Sequence, residues 1–202
     1  MKKIISMVLM ICLCCGLVNV IPIQASDNIA YVGDGYIQEL ETNNPDTKRW
    51  KVVDSNTEYD LLINYKEHFI QIDDEITPYF VEELELPVTR ATIDYSSARS
   101  FQYKVPWKGS ATLLAAAVGG LIGGAPVAGW AATVAGALTA DAENVWVTFT
   151  QYDSVESYYS NYNAVYYHKC INRNIIFYEN SISSANKRYG PVHGSWFDPI
   201  RP

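Results

Sequence analysis

The chain has 202 residues, with 22 acidic and 15 basic side chains and a formal net charge of −7 at pH 7. This length allows about one domain. The acidic excess argues against nucleic acid as a partner, because proteins that bind it usually present a basic patch. Residues 26–90 hold fifteen acids and five bases, whereas residues 91–202 hold seven acids and eight bases. This asymmetry divides the chain into an acidic first part and a nearly neutral second part.

Residues 1–25 have the pattern of a secretory signal peptide. Lys2 and Lys3 give a positive start, an apolar stretch follows over residues 4–20, and a cleavage point follows Ala25. Such a segment is removed on export, so we expect a secreted, extracellular protein. An alternative is lipid attachment at Cys15, which ends the apolar stretch, although the usual Leu three residues earlier is missing.

Cleavage leaves Cys170 as the only cysteine of the mature chain, which therefore has no internal disulfide. A lone cysteine near His168 is either a reactive thiol or, more commonly, a small buried hydrophobic residue. We expect the second.

Residues 26–90 predict a small, acidic, β-rich module that resembles a leader. Residues 73–86 are acidic with apolar side chains interleaved, which favours a short amphipathic helix limited by Pro78 and Pro87. Strand-forming residues separated by turn residues predict three strands. These are Trp50–Asp54, Asp60–Tyr65 and His68–Ile72.

Residues 91–108 predict a linker, because the stretch from Pro87 to Trp107 is rich in Ser, Thr and Arg and marks the change in charge. Exposed polar linkers are common sites of proteolysis, and Arg90 is a candidate processing site. The alternative is an ordinary loop between two domains.

Residues 109–140 form a run without any charged side chain, composed largely of Gly and Ala. One continuous helix of that length would measure about 48 Å, but Pro126 breaks the helical hydrogen bonding. We therefore predict two helices, Ala111–Ile122 and Val127–Ala140, joined as a hairpin. The run contains few strongly apolar residues, so export machinery could pass it rather than retain it.

Small residues recur at fourfold spacing in both halves of this run, as in the glycine zippers of membrane helix pairs. The sequence predicts a helical hairpin that inserts into a membrane. The alternatives are a hairpin buried in a globular core and a true membrane anchor. The residues expected to carry insertion and helix packing are Gly119, Gly120, Gly123, Gly124, Pro126, Trp130 and Gly136.

Residues 141–202 predict a tyrosine-rich antiparallel β-meander with an irregular tail after residue 190. Alternation at residues 145–150 is typical of a strand, further strands are expected at 164–170 and 174–178, and residues 170–174 predict the turn between them. The predicted fold class is therefore α+β. It combines a β-rich N-terminal module, a central helical hairpin and a C-terminal β-meander.

The sequence offers no catalytic constellation, so we expect a protein that is not an enzyme and uses no cofactor. His68, His168 and His193 stand apart and lack the spacing of a zinc helix. The alternating oxygen ligands of residues 54–60 lack the Gly and the late Glu of a calcium loop, so no metal site is predicted either.

A signal peptide, an acidic leader-like module, the entry KVPWKGSATLLAAAVGG and a tyrosine-rich β tail together resemble the large secreted bacteriocins of the geobacillin type from Gram-positive bacteria. The resemblance covers about residues 88–180 and carries over no catalytic residue. It implies an antibacterial protein that acts on bacterial membranes, with self-association and an immunity protein as further partners to test. The alternative is a non-catalytic secreted or cell-surface interaction protein whose hairpin lies in its core.

Overall fold

Ten antiparallel strands follow one another as a meander, each paired with the next along the chain. The computed structural model describes residues 29–44, 46–85, 95–122, 127–160 and 164–199. The strands are β1 (Ile29–Val32), β2 (Gly35–Leu40), β3 (Thr47–Asp54), β4 (Thr57–Asn64), β5 (Phe69–Ile72), β6 (Glu75–Leu84), β7 (Tyr95–Pro106), β8 (Asn144–Ser160), β9 (Val165–Glu179) and β10 (Lys187–Val192). Two helices, α1 (Ala111–Ile122) and α2 (Val127–Ala137), lie between β7 and β8.

The predicted α+β class is wrong, because the molecule is a β-rich fold built on one sheet. Strands account for 59% of the described residues and helices for 15%. The two helices begin where the sequence predicts, and α2 ends three residues early at Ala137. They do not separate two β modules, because the sheet is continuous from β6 to β7 and from β7 to β8.

Three local predictions fail for the same reason. Residues 95–106 of the predicted linker form β7, which pairs with strands on both sides. Residues 75–84, expected in part of an amphipathic helix, form β6, whose Thr77 and Tyr79 alternate into the core. The turn expected at 170–174 is wrong, because these residues continue β9, with a register shift against β8 next to Arg173. In each case pairing with a distant strand overrides a local preference.

One face of the sheet covers the helices. Alternate side chains of β3, β4 and β5 are buried on that face, as the twofold period of a strand requires; they are Trp50, Val52, Leu61, Ile63, Ile70 and Ile72. Helix α1 packs on β2, β3 and β4, whereas α2 packs on β10. Because strands near both ends of the sheet reach the same helix pair, the sheet curves around the hairpin.

The hairpin enters and leaves the sheet at one point. The register of β7 and β8 runs to Pro106, which ends β7 before the helical segment, and Asn144, which begins β8 after it. Beyond this pair, the Trp107 amide donates to the Glu143 carbonyl at 2.7 Å. The two strands are therefore fully paired at the base of the hairpin. Neither described helix is both long and apolar enough to span a membrane.

Candidate functional site

Helix α1 is apolar on every side and is buried on almost every side. Ten of its twelve residues are buried, which is expected of a helix without a polar face. Ser110 caps its first turn, where its Oγ accepts a 3.0 Å hydrogen bond from the Leu113 amide and donates to the Asp54 carboxylate. The cap thus fixes the start of α1 against the end of β3.

Gly120 is the position where α1 meets the sheet most closely. A Cβ atom built on it would lie 2.5 Å from Cδ1 of Ile63 and 2.9 Å from the Trp50 ring. Any larger residue would therefore displace buried side chains of β3 and β4. A Cβ atom built on the neighbouring Gly119 would have nothing within 4 Å. The tight contact is consequently between helix and sheet.

The C-terminal end of α1 is held by side chains from two distant strands. The last carbonyls of a helix lack partners within it. The Tyr65 hydroxyl donates to the Gly120 carbonyl at 2.8 Å, and the fully buried Asn172 donates through Nδ2 to the Ile122 carbonyl. Asn172 in turn accepts from Nε2 of Gln151 at 3.2 Å. These bonds join α1 to Tyr65, directly after β4, to β9 and, through Gln151, to β8.

Helix α2 has one buried side and one exposed side. Val127, Trp130, Ala131 and Val134 are buried, whereas Gly136 is exposed and an added Cβ there meets nothing within 4 Å. Beyond its C-terminal end, the carboxylate of Glu179 accepts from the Thr139 hydroxyl and from Nε of Arg188 at 2.6 Å. The Thr139 hydrogen bond is the main reason that the pKa of Glu179 is lowered.

The glycine zipper predicted from the sequence is not visible as a helix–helix contact among the described residues. Gly119 and Gly136 have open space where a close partner would lie, and Gly120 faces the sheet. Trp130 is buried in the core, as a structural side chain would be. The remaining predicted site residues lie outside the described residues; they are Ala25, Arg90, Gly123, Gly124 and Pro126.

A cleft of about 370 Å³ opens beside the C-terminal end of α1, where Leu121 forms part of its wall. Its polar centre is the ion pair between Arg99 of β7 and Asp153 of β8, with 2.8 Å between Nη2 and Oδ1. Most of the remaining lining is aromatic or imidazole: Tyr65, His68, Tyr79, Phe101, Tyr167, His168 and Phe197. The sequence analysis missed this cleft, because its residues come from four strands, the turn between β4 and β5, helix α1 and the C-terminal tail.

Cys170 lies in the wall of this cleft as a protonated thiol. Burial, with a contribution from Asp153, raises its pKa to about 12, and its Sγ donates to Oδ1 of Asp153 at 3.2 Å. The nearby His168 is engaged through Nδ1 with the Ser154 carbonyl at 2.6 Å. A thiol in this state is a poor nucleophile. The described residues contain no group of three or more His, Cys, Asp or Glu placed to hold a metal ion.

Comparison with known proteins found no matching family model, no matching curated protein and no matching solved structure.

Proposed function

We propose that this protein is a secreted, non-catalytic interaction protein in which the Gly/Ala hairpin is a permanent part of the core. The observation that carries this proposal is the fit of α1, which is buried on almost every side with Gly120 against Trp50 and Ile63. Close complementarity of this kind is typical of a folded interior. Export is supported by the signal-peptide pattern of residues 1–25.

Helix length supports a structural role for the hairpin over a membrane-spanning one. The 12 residues of α1 and the 11 residues of α2 correspond to about 18 Å and about 16 Å at 1.5 Å per residue. The hydrocarbon core of a bilayer is about 30 Å thick and needs about 20 helical residues. Two helices of this length would reach only partway across.

The energetic cost of releasing α1 from the sheet also supports a structural role for the hairpin. If α1 left the sheet, the large side chains beneath it would meet water, including Trp50, Leu61 and Ile63, which are at most 8% exposed. Exposing each such side chain costs about 1.5–3 kcal/mol. Because α1 covers several of them, its departure would remove much of a typical domain stability of about 5–15 kcal/mol.

Hydrogen exchange with and without lipid tests the proposal. We expect the amides of α1 to exchange slowly, and their protection to stay the same when vesicles of neutral or anionic phospholipid are added. Loss of protection in α1 on vesicle binding would overturn the idea of a permanent core. The same amides of α1 measured without vesicles serve as the reference.

A membrane-active, bacteriocin-like function is a second candidate, favoured by the base of the hairpin. Because β7 and β8 are paired up to Pro106 and Asn144, the hairpin could leave without breaking the sheet ladder. The exposed Tyr159 and Tyr166 at the far end of β8 and β9 are residues that favour membrane interfaces. Release of dye from anionic vesicles would support this function. Intact vesicles together with protected α1 amides would favour the interaction protein.

A further inference from the structure

We propose that the cleft beside α1 binds an uncharged mono- or disaccharide. The inference deepens the proposed function and rests on it, because Leu121 of α1 and Tyr65, which is bonded to α1, form part of the cleft wall. The described wall of the cleft is complete only while α1 stays in the core.

Fixed aromatic faces form one element of the site. Phe101 is stacked on Phe149, with ring centres 4.7 Å apart and planes 4° apart. Tyr79 lies against His68 at 5.2 Å, and Phe197 is positioned by reciprocal backbone hydrogen bonds of 2.9 Å with Cys170. Rings that are already ordered lose little entropy on binding. Their flat apolar faces suit the C–H face of a sugar ring.

A donor and an acceptor stand side by side in the wall of the same cleft. Nη2 of Arg99 lies 2.8 and 3.1 Å from the two carboxylate oxygens of Asp153, and the two side chains are 31% and 18% exposed. The buried Nε of Arg99 has no acceptor in the part of the chain that the structure describes. A hydroxyl group both donates and accepts, so a polyol can use the carboxylate and the guanidinium together.

The charge of the lining favours a neutral ligand. Arg99 and Asp153 carry opposite charges and pair with each other, and the described residues place no other Lys, Arg, Asp or Glu in the lining. A phosphate or carboxylate ligand would therefore find no net positive charge to offset the loss of its own hydration. Gln151, His68 and His168 add further polar groups to the wall.

The size of the cleft limits the ligand. Its volume of about 370 Å³ lies at the lower end of the range of about 300–1,000 Å³ for small-molecule sites. A folded peptide or a phospholipid with two acyl chains does not fit such a volume. One or two sugar rings fit this volume.

Saturation-transfer NMR on the purified protein tests this assignment. The probes are cellobiose, lactose and N,N′-diacetylchitobiose, with glucose 1-phosphate as a charged counterpart. We expect transfer to the ring protons of at least one neutral sugar, with a dissociation constant in the micromolar to millimolar range that is typical of small polar ligands. Binding should not change between about 50 and about 500 mM NaCl, because screening does not affect an uncharged ligand.

Two matched substitutions locate the binding. Phe197→Leu keeps an apolar side chain but removes an aromatic face of the cleft, and we expect affinity to fall about tenfold, equivalent to about 1.4 kcal/mol. Phe80→Leu is the control, because Phe80 is 63% exposed and points to the opposite face of β6 from Tyr79. Absence of transfer to all three neutral sugars, preference for glucose 1-phosphate, or equal loss in both variants would overturn the inference.

Hydrogen exchange in the same samples distinguishes failure of the sugar assignment from failure of the proposed function. If no sugar binds while α1 stays protected in the presence of vesicles, the ligand assignment is wrong and the interaction-protein proposal survives. If α1 loses its protection on vesicles, the proposed function itself is wrong, whether or not a sugar binds.

Discussion

Helices α1 and α2 come from one uncharged, Gly/Ala-rich run, but they occupy different environments. Ten of the 12 residues of α1 are buried, compared with four of the 11 in α2. Gly120 of α1 is in van der Waals contact with two core side chains, whereas Gly129 and Gly136 of α2 face open space. Composition alone therefore does not decide what a small residue contributes. The contribution of a small residue depends on the surface that it faces, and the two helices allow a direct comparison of two such surfaces.

The largest expected difference between the helices comes from Gly120→Leu and Gly136→Leu. At Gly120 the new side chain must displace Ile63 and the Trp50 ring, so we expect a loss of more than about 3 kcal/mol of unfolding free energy. At Gly136 the change should stay within about 1 kcal/mol, because the position is open and Leu is a better helix former. Urea unfolding followed by circular dichroism measures both. Similar losses at the two sites would contradict the difference in packing.

Removing the amide that ties down α1 should have the next largest effect. Asn172→Ala leaves the Ile122 carbonyl and Nε2 of Gln151 without their partner in the interior, and we expect a loss of about 1–3 kcal/mol. The amide of Gln102, which is exposed on β7, provides the control substitution Gln102→Ala. Equal small changes in the unfolding midpoint of both variants would show that the buried amide does not stabilise the end of α1.

The carboxylate beyond the end of α2 should make stability depend on pH. The pKa of Glu179 is lower in the folded state than in the unfolded state, mainly through its hydrogen bond from Thr139. Its contribution is therefore complete above the unfolded pKa of about 4.3 and is lost as pH falls through the folded pKa. Glu179→Gln keeps hydrogen-bonding capacity but loses the charge, so we expect a loss of about 1 kcal/mol at pH 7.

Chemical denaturation at pH 7 and at successive steps down to about pH 2 measures this pH dependence of the Glu179 contribution. The gap between the natural protein and the Gln variant should close as the pH falls. A gap that stays constant across this range would show that the charge of Glu179 contributes nothing.

The smallest expected effects are at the open glycines. Gly119→Ala and Gly136→Ala introduce a methyl group where nothing lies within 4 Å, and each should raise the unfolding free energy by about 0.5–1 kcal/mol through the better helix propensity of Ala. Thermal unfolding compares them with Gly120→Ala, which should destabilise because its Cβ would lie 2.5 Å from Ile63. Destabilisation at Gly136 would indicate a helix partner on its exposed side.

The helices were predictable because their signals are local. A chain segment without charges, divided by Pro126, gives the limits of α1 and the start of α2 correctly. β7 was missed because its sequence, YSSARSFQYKVP, has many polar residues and depends on β6 and β8 for pairing. The true course of β9 was missed because Asn172 looks like a turn residue. Only the contact with α1, fifty residues away in the sequence, explains its burial.

The cleft was beyond sequence reasoning for a related physical reason. Arg99 lies in the segment that the sequence predicts as a linker, and nothing in the sequence singles out Asp153. Their pairing requires β7 and β8 to be neighbours, which depends on the hairpin returning the chain to the same place. Cys170 was expected to be buried, and it is 3% exposed, because a small apolar side chain often fills such a position.

The pairing of β7 with β8 also has a consequence for the order of assembly. In the part of the chain that the structure describes, no other pair of neighbouring strands has a helix in its connection, but this pair must close around the whole hairpin. The entropic cost of closure grows with the logarithm of loop length, and Gly-rich helices form poorly in isolation. We therefore expect β1–β7 and β8–β10 to organise as separate halves. Their open edges, β7 and β8, pair when the hairpin packs on the face of the sheet, and we expect this packing step to be the slow step of folding.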